Sequence, residues 1–372
     1  MRILSKSARA DNPEQAIRSL QAAYAGFPVR TLFFFASSRY THPGLAELVR
    51  DAFPGALTIG CSSYGELAAN GINYGGVSAL AFAPDALEIA ATAVVKGISA
   101  GPEGVVPARA ELERRIGSKL IDLDYRKYFG IALFDGSSQH IEAVMDRLGD
   151  STNLTFIGGF ASDDFSMTGI RQYLNGETFT DAAVLTVLKP AGPFALLKTQ
   201  SADRMPANFV VTRANQKDRV ILELDNRPAA DVYAENLGVA RGDIRDETFL
   251  MHPFGLMAAE EPFIRAIHRI LPDGGIQLFC SVRSDQRLFL MRTGDIVAKT
   301  SAILAEKRRI LGGGVRAILD FDCAHRFMTL QLEKRIPEYA ALFQGIETAG
   351  FASFGECYIA NVNQTSVMAL FG

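Results

Sequence analysis

The chain has no tryptophan and only four cysteines, Cys61, Cys280, Cys323 and Cys357, in 372 residues. Thiols so few and so scattered, with no Cys-x-x-Cys, exclude a disulfide framework and point to the reducing cytosol. Neither sign of charge is in excess: 38 Lys and Arg stand against 41 Asp and Glu, a net charge of −3. That balance lacks the basic footprint of a nucleic-acid partner. No apolar run approaches the roughly 18–20 residues of a membrane helix. The opening residues Met1–Lys6 lack the apolar core of a signal peptide. The expectation is a cytoplasmic protein with no membrane partner. Histidine is scarce too. His42, His140, His252, His268 and His325 form neither His-Glu-x-x-His nor any other close metal pair.

What is present is ample core material: 48% of the residues are apolar. A chain of this length suggests two domains. Asn12-Pro13-Glu14-Gln15 is a helix start, with Asn12 as cap and Pro13 at the first helical position. The Phe-rich run 29–36 reads as a buried strand, and Leu45, Leu48, Val49 and Ala52 as a helical stripe. A short strand at 56–60 and paired strands at 77–82 and 86–95 follow. The same order returns at 128–134, 141–148, 154–158, 169–174 and 182–188. It returns again at 315–321, 332–343, 350 and around 366–371. Between the second and third units lies a stretch of another kind, about residues 194–310, where 209–212 and 219–224 read as a hairpin around Lys217-Asp218 and strands at 263–270, 276–282 and 288–291 alternate like an antiparallel meander. Gly312-Gly313-Gly314 reads as a helix exit, since no Lys-Ser/Thr follows to make a phosphate loop. The expected class is mixed α/β (α+β): repeated strand–helix–strand units with mixed sheets, plus an antiparallel meander in the C-terminal half. The expected domains are 1–195, with two units, and 196–372, with the meander and the third.

The junctions of the units match. After the helix, Gly60-Cys61-Ser62-Ser63-Tyr64-Gly65-Glu66, Gly159-Phe160-Ala161-Ser162 and Gly350-Phe351-Ala352-Ser353-Phe354-Gly355-Glu356 share Gly-x-x-Ser, and two share aromatic-Gly-Glu. Strand tips that lead into helix N-termini gather polar groups and free N–H donors, which suit small anions. Ser63, Glu66, Asp135, Ser162, Ser353 and Glu356 are therefore candidate ligand contacts, although Ser and Gly also serve tight turns and Glu also caps. Arg265, in the apolar stretch Phe263–Ile267, and Arg326, at a helix start, are candidates for a ligand carboxylate, with Asn363 beside them. Three further chemistries stay open. His252, in Met251-His252-Pro253-Phe254, or His325 could ligate haem iron. Cys323 could act as a nucleophile with His325. Glu66 and Glu356 could form a catalytic carboxylate pair.

Several segments together resemble the FIST family, a bacterial sensory family with N- and C-terminal parts. Residues 59–66 resemble its N-terminal signature. Asp322-Cys323-Ala324-His325-Arg326 resembles its Asp-Cys-x-x-Arg segment, and residues 350–356 and Asn363-Gln364-Thr365 its closing motifs. The resemblance spans most of the chain. It implies a non-enzymatic sensor of a small molecule that regulates a separate signalling protein: a histidine kinase, a chemotaxis protein, or a cyclic-di-GMP protein such as a diguanylate cyclase or phosphodiesterase. The length and the closing motif are similar to those of stand-alone members that bind haem and sense nitric oxide, and no output domain is expected.

Overall fold

The computed structural model describes residues 1–69, 71–138, 140–258, 261–312 and 314–372. Gly313, in the triple glycine, lies outside the described residues. Unit one comprises β1 (Ile3–Ala8), α1 (Pro13–Ala23), β2 (Thr31–Ser37), α2 (Leu45–Ala52), β3 (Leu57–Ser63), the hairpin β4 (Glu66–Ala68) and β5 (Gly71–Asn73), and β6 (Val77–Phe82). Unit two repeats this order. It has β7 (Leu87–Lys96), α3 (Val105–Ile116), β8 (Phe129–Asp135), α4 (Ile141–Gly149), β9 (Phe156–Ala161), the hairpin β10 (Gln172–Leu174) and β11 (Glu177–Phe179), and β12 (Ala182–Pro190).

Unit three opens with β13 (Phe194–Gln200) and is then interrupted. The insert holds β14 (Ala202–Asn215), β15 (Val220–Leu224), β16 (Arg227–Pro228), α5 (Ala229–Leu237), α6 (Asp246–Met251), β17 (Phe254–Ala258), β18 (Glu261–Arg265), β19 (Ile267–Ile270), β20 (Ile276–Leu278) and β21 (Arg287–Thr293). The unit resumes with α7 (Ile296–Ile310), β22 (Ala317–Cys323), α8 (Ala324–Leu332), α9 (Ile336–Ala341) and β23 (Glu347–Ser353). It closes with the hairpin β24 (Glu356–Tyr358) and β25 (Ala360–Val362), and β26 (Thr365–Phe371). The mixed α+β class read from the sequence is what is found. The 195/196 division falls inside β13.

Each unit contributes four strands to its own sheet and lends its hairpin to another. The orders are β1-β6-β2-β3-β10-β11, β25-β24-β9-β8-β12-β7 and β13-β26-β22-β23-β4-β5. Unit two thus completes the sheet of unit one, unit three that of unit two, and unit one that of unit three. The central strands are buried along their whole length because both faces are covered. Along β2, Phe33 and Phe35 face the common centre, where they meet Phe321, Phe351 and Phe371. Leu32 and Phe34 face the outer layer and pack with α1 and α2.

Register corrects the alignment of the second unit. Gly60, Gly158 and Gly350 lie opposite Phe34, Ala132 and Asp320, at the same place in each parallel pair. A Cβ on them would lie 2.2, 1.9 and 2.1 Å from the carbonyl oxygen opposite, so only glycine fits. Ser63 and Ser353 are equivalent, opposite Ser37 and Cys323. Ala161 takes that place in unit two, opposite Asp135, and Ser162 lies one residue beyond. The stretch 263–270, read as one strand, is two. The chain turns at Ala266, and β18 and β19 form opposite ends of a nearly closed antiparallel sheet. Ala266 is buried, and its carbonyl accepts from the Phe279 N–H at 3.0 Å, which fixes the corner.

Candidate functional site

The seams between units are built alike. At each, one host N–H donates to the lent hairpin: Ser62 to Arg171 O at 2.9 Å, Phe160 to Gly355 O at 2.8 Å, Ala352 to Gly65 O at 2.7 Å. The hairpin residue that follows is Gln172, Glu356 or Glu66. Glu66 and Glu356 therefore do match, but they sit on different seams and in different sheets, and each carboxyl serves its own loop. Glu66 accepts from the Ser63 hydroxyl and, at 2.8 Å, from Gly76 N–H. Burial pushes its pKa up to about 8. Glu356 accepts from Thr365 N–H at 3.2 Å and Thr365 Oγ1 at 2.8 Å, while its Oε1 is buried without a partner. Burial holds this carboxyl well above the usual carboxylate range.

Ser63 and Ser162 are likewise taken up by structure. Ser162 Oγ donates to Ala352 O in unit three and accepts from Tyr64 N–H in unit one at 2.9 Å, so one hydroxyl ties all three units. Asp135 clamps its own tip: Oδ1 accepts from Ser137 N–H at 3.0 Å and Oδ2 from Asp181 N–H at 2.7 Å. Arg326 is not open to a ligand carboxylate. It is buried, and Asp322 already occupies its Nε at 2.7 Å.

A cleft of about 650 Å³ lies where the insert covers the tips of units two and three. The tip of unit two supplies Gly136–Ser138 and α8 supplies His325 and Met328. The insert supplies Asp246, His268, Arg269 and Phe279. Phe165 and Phe354 lead down to a small recess against Cys323, Ser353 and Asn363. Of the sequence candidates, Ser353, Asn363 and His325 thus come together at its deep end. Asn363 Oδ1 and His325 Nδ1 are both buried without partners. Burial, with His268 nearby, pushes His325 down to about 4, so its ring is neutral at physiological pH. Burial raises the Cys323 thiol well above its ordinary value, which removes the thiolate that nucleophilic attack requires. His252 follows α6 and does not line this cleft, and Arg265 belongs to a separate one.

Sequence reasoning missed the aromatic walls. Phe165 and Met167 hold φ of 68° and 59°, a backbone region that bulky residues seldom adopt. Asp163 enforces it, its Oδ2 accepting from Thr168 N–H at 2.9 Å and Gly169 N–H at 3.0 Å. The Phe165 ring is thereby held 4.9 Å from Tyr64 and 5.1 Å from Phe354, at the edge of the cleft. The available signal was Asp163-Asp164-Phe165-Ser166-Met167-Thr168-Gly169, two large apolar residues inside a turn-forming tract. Phe279 and His268 gave none, since only the bend at Ala266 brings them to the cleft.

Two solved cyanuric acid hydrolases align over 100% of this chain and 99% of their own, each at 9% identity, with TM-scores of 0.33 and, for that of A. caulinodans, 0.36. A chorismatase aligns at 8% identity and TM-score 0.35, over 100% of this chain and 98% of its own. Likenesses this low carry no weight for chemistry. The uncharacterized protein MJ1623 of Methanocaldococcus jannaschii is 27% identical over 202 residues, 51% of this chain. The match takes in 39% of that relative's length. The FIST N domain model matches residues 30–227 and the FIST C domain model residues 229–358. The chain belongs to the FIST family, whose domains are generally associated with signal transduction and small-ligand sensing.

Proposed function

We propose that this chain is a receptor for a small organic ligand and that it reports occupancy to a separate signalling protein, such as a histidine kinase, a chemotaxis protein or a cyclic-di-GMP enzyme. The observation that carries the reading is the 650 Å³ cleft, walled by aromatic side chains among polar ones and ending in buried, unpartnered polar atoms of Asn363 and His325. Small-molecule sites have that size and that make-up. Orphaned buried atoms are stabilised by any ligand group that bonds them. The cleft lies between the insert and units two and three, so a ligand that fills it biases their relative position, the form of change a docked partner can read.

The test is a thermal-shift screen of small metabolites, with mass spectrometry of whatever copurifies. A ligand of this site raises the wild-type melting point by mass action and fails to do so in folded Phe354→Ala and Asn363→Ala variants. Equal shifts in all three proteins would refute the assignment of the cleft.

A second reading, haem with nitric oxide as the sensed molecule, is favoured by one feature. His325 offers a neutral imidazole with a free, buried Nδ1 in an aromatic-lined cleft, a donor that haem iron accepts. Bound there, haem would supply an open iron position for the gas. Haem titration should then give a Soret band that His325→Ala abolishes and His252→Ala keeps. A chain that stays colourless with excess haem excludes this reading.

A further inference from the structure

A second cleft, of about 620 Å³, opens on the other side of Arg219. Its floor is the outer face of α4 together with Asn361 on β25. Its walls come from the insert: the turn between β14 and β15, the end of β18, and the loop between β20 and β21. Lys217 and Arg283 are exposed at its rim, and Arg265 is set into the wall beside the buried thiol of Cys280. Among the described residues, none of these three cations forms an ion pair. Arg265 Nη1 donates to the neighbouring Ile264 carbonyl at 3.3 Å, the Cys280 thiol lies within hydrogen-bonding reach of the guanidinium, and Nε is buried with no acceptor.

The acids of the cleft cancel only part of that charge. Glu142 is already saturated. Its Oε2 takes Arg219 Nη2 at 2.8 Å, and its Oε1 takes Ser281 N–H at 3.0 Å and Asn361 Nδ2 at 2.9 Å. Asp146 is exposed to water. By drawing in the amide nitrogen of Asn361, Glu142 leaves Asn361 Oδ1 buried without a donor. The cleft therefore presents an unfilled guanidinium N–H, two further cations and an unfilled carbonyl acceptor. A buried polar atom without a partner is destabilising, so both unfilled atoms favour an occupant that bonds them.

We propose that this second cleft binds a small organic dianion, a phosphate monoester or a dicarboxylate that also carries a hydroxyl. The anion lies against Arg265 between Lys217 and Arg283, and the hydroxyl donates to Asn361 Oδ1. A guanidinium suits either anion because its forked N–H groups match two oxygens at once. The site stands apart from the first cleft in chemistry and in residues; Arg219 alone borders both.

Calorimetric titration of the full chain with glycerol 3-phosphate, malate and uncharged glycerol tests the proposal. One of the anions binds and glycerol does not; which anion binds separates the phosphate from the dicarboxylate. Affinity falls about tenfold or more in Arg265→Gln, as expected for loss of a charged hydrogen bond, and Arg265→Lys does not restore it. Should Arg265→Gln fail to fold, the exposed pair Lys217→Ala/Arg283→Ala tests the same site, through a loss of about tenfold and a weaker salt dependence. Phe354→Ala, in the first cleft, keeps the anion affinity. The proposal is overturned if neither anion binds the wild type. It is equally overturned if the cation variants bind as well as wild type, or if the loss follows Phe354→Ala instead.

Discussion

Arg326 reaches back from the start of α8 to the carboxylate of Asp322, with Nε 2.7 Å from Oδ1 and side chains exposed by 1% and 0%. The Tyr339 hydroxyl donates to the other Asp322 oxygen, and Arg326 Nη2 donates to Thr300 Oγ1 at 3.1 Å. The pair thus joins β22, α7, α8 and α9 inside the third unit. Breaking one side leaves a buried charge, at a cost of about 3–5 kcal/mol, whereas replacing both partners by apolar residues is often close to neutral. Urea unfolding should show Arg326→Met to be severely destabilised and Asp322→Leu/Arg326→Met to be much less so. A single variant within about 1 kcal/mol of wild type, well below that range, would deny the pair its structural role.

Glu66 gives stability a defined pH dependence. Its folded pKa of about 8 lies above that of an unfolded glutamate, so the folded state binds the extra proton. Its contribution is fully present below the unfolded value, around pH 4.5, and is lost as pH rises through about 8. Glu66→Gln keeps an acceptor for Gly76 and meets the Ser63 hydroxyl with an amide N–H, reversing that bond, and unit two already carries Gln172 at the matching place. The variant should therefore melt above wild type at pH 8.5 by roughly 5 °C, the gap closing towards pH 5. Parallel melting curves across that range would show that Glu66 does not titrate there.

The three seam glycines make a matched set. Alanine at Gly60, Gly158 or Gly350 drives a Cβ to about 2 Å from a backbone oxygen that the parallel pair holds in place. Each should cost more than about 3 kcal/mol, in the range of severe overpacking. Gly149→Ala, with nothing within 4 Å, should be neutral in the same denaturation assay.

Ser162→Ala removes one hydroxyl and two bonds, leaving Tyr64 N–H without its acceptor. The expected loss is about 1–3 kcal/mol. Because the bonds run to units one and three, hydrogen exchange should quicken at Tyr64 and around Ala352, and not only near residue 162. Faster exchange confined to unit two would contradict the tie.

The periodic parts of this architecture are legible in the sequence. The unbroken apolar run of β2 and the stripe Leu45, Leu48, Val49 mark strand and helix because burial on both faces or on one face writes itself into spacing. The lent hairpins are not legible. Each strand of β4–β5 or β24–β25 is three residues long, too short for a period, and its host is fixed by the closed ring rather than by local propensity. Spacing alone puts Ser162 one residue early because Gly158-Gly159 offers two glycines, and only the carbonyl of Ala132 distinguishes them. At the cleft, Ser353, Asn363 and His325 stand out as polar residues near strand tips. Phe279 and Phe354 look like any core aromatic until the insert folds over them. Arg326 misleads because a cation at a helix start invites an anion; the carboxylate that answers it lies in the strand just before.

The lending of hairpins has a consequence for how the chain is made. Leu67 finds its partner in Gly350, about 280 residues further along. On the ribosome, the hairpin of unit one must therefore wait, with one edge of β4 unpaired, until β23 has emerged. Only β10–β11 and then β24–β25 can dock as they arrive, each on the unit before it. Because β23 emerges just ahead of β24–β25, the last two seams close almost together, and neither the sheet of unit two nor that of unit three is complete before then.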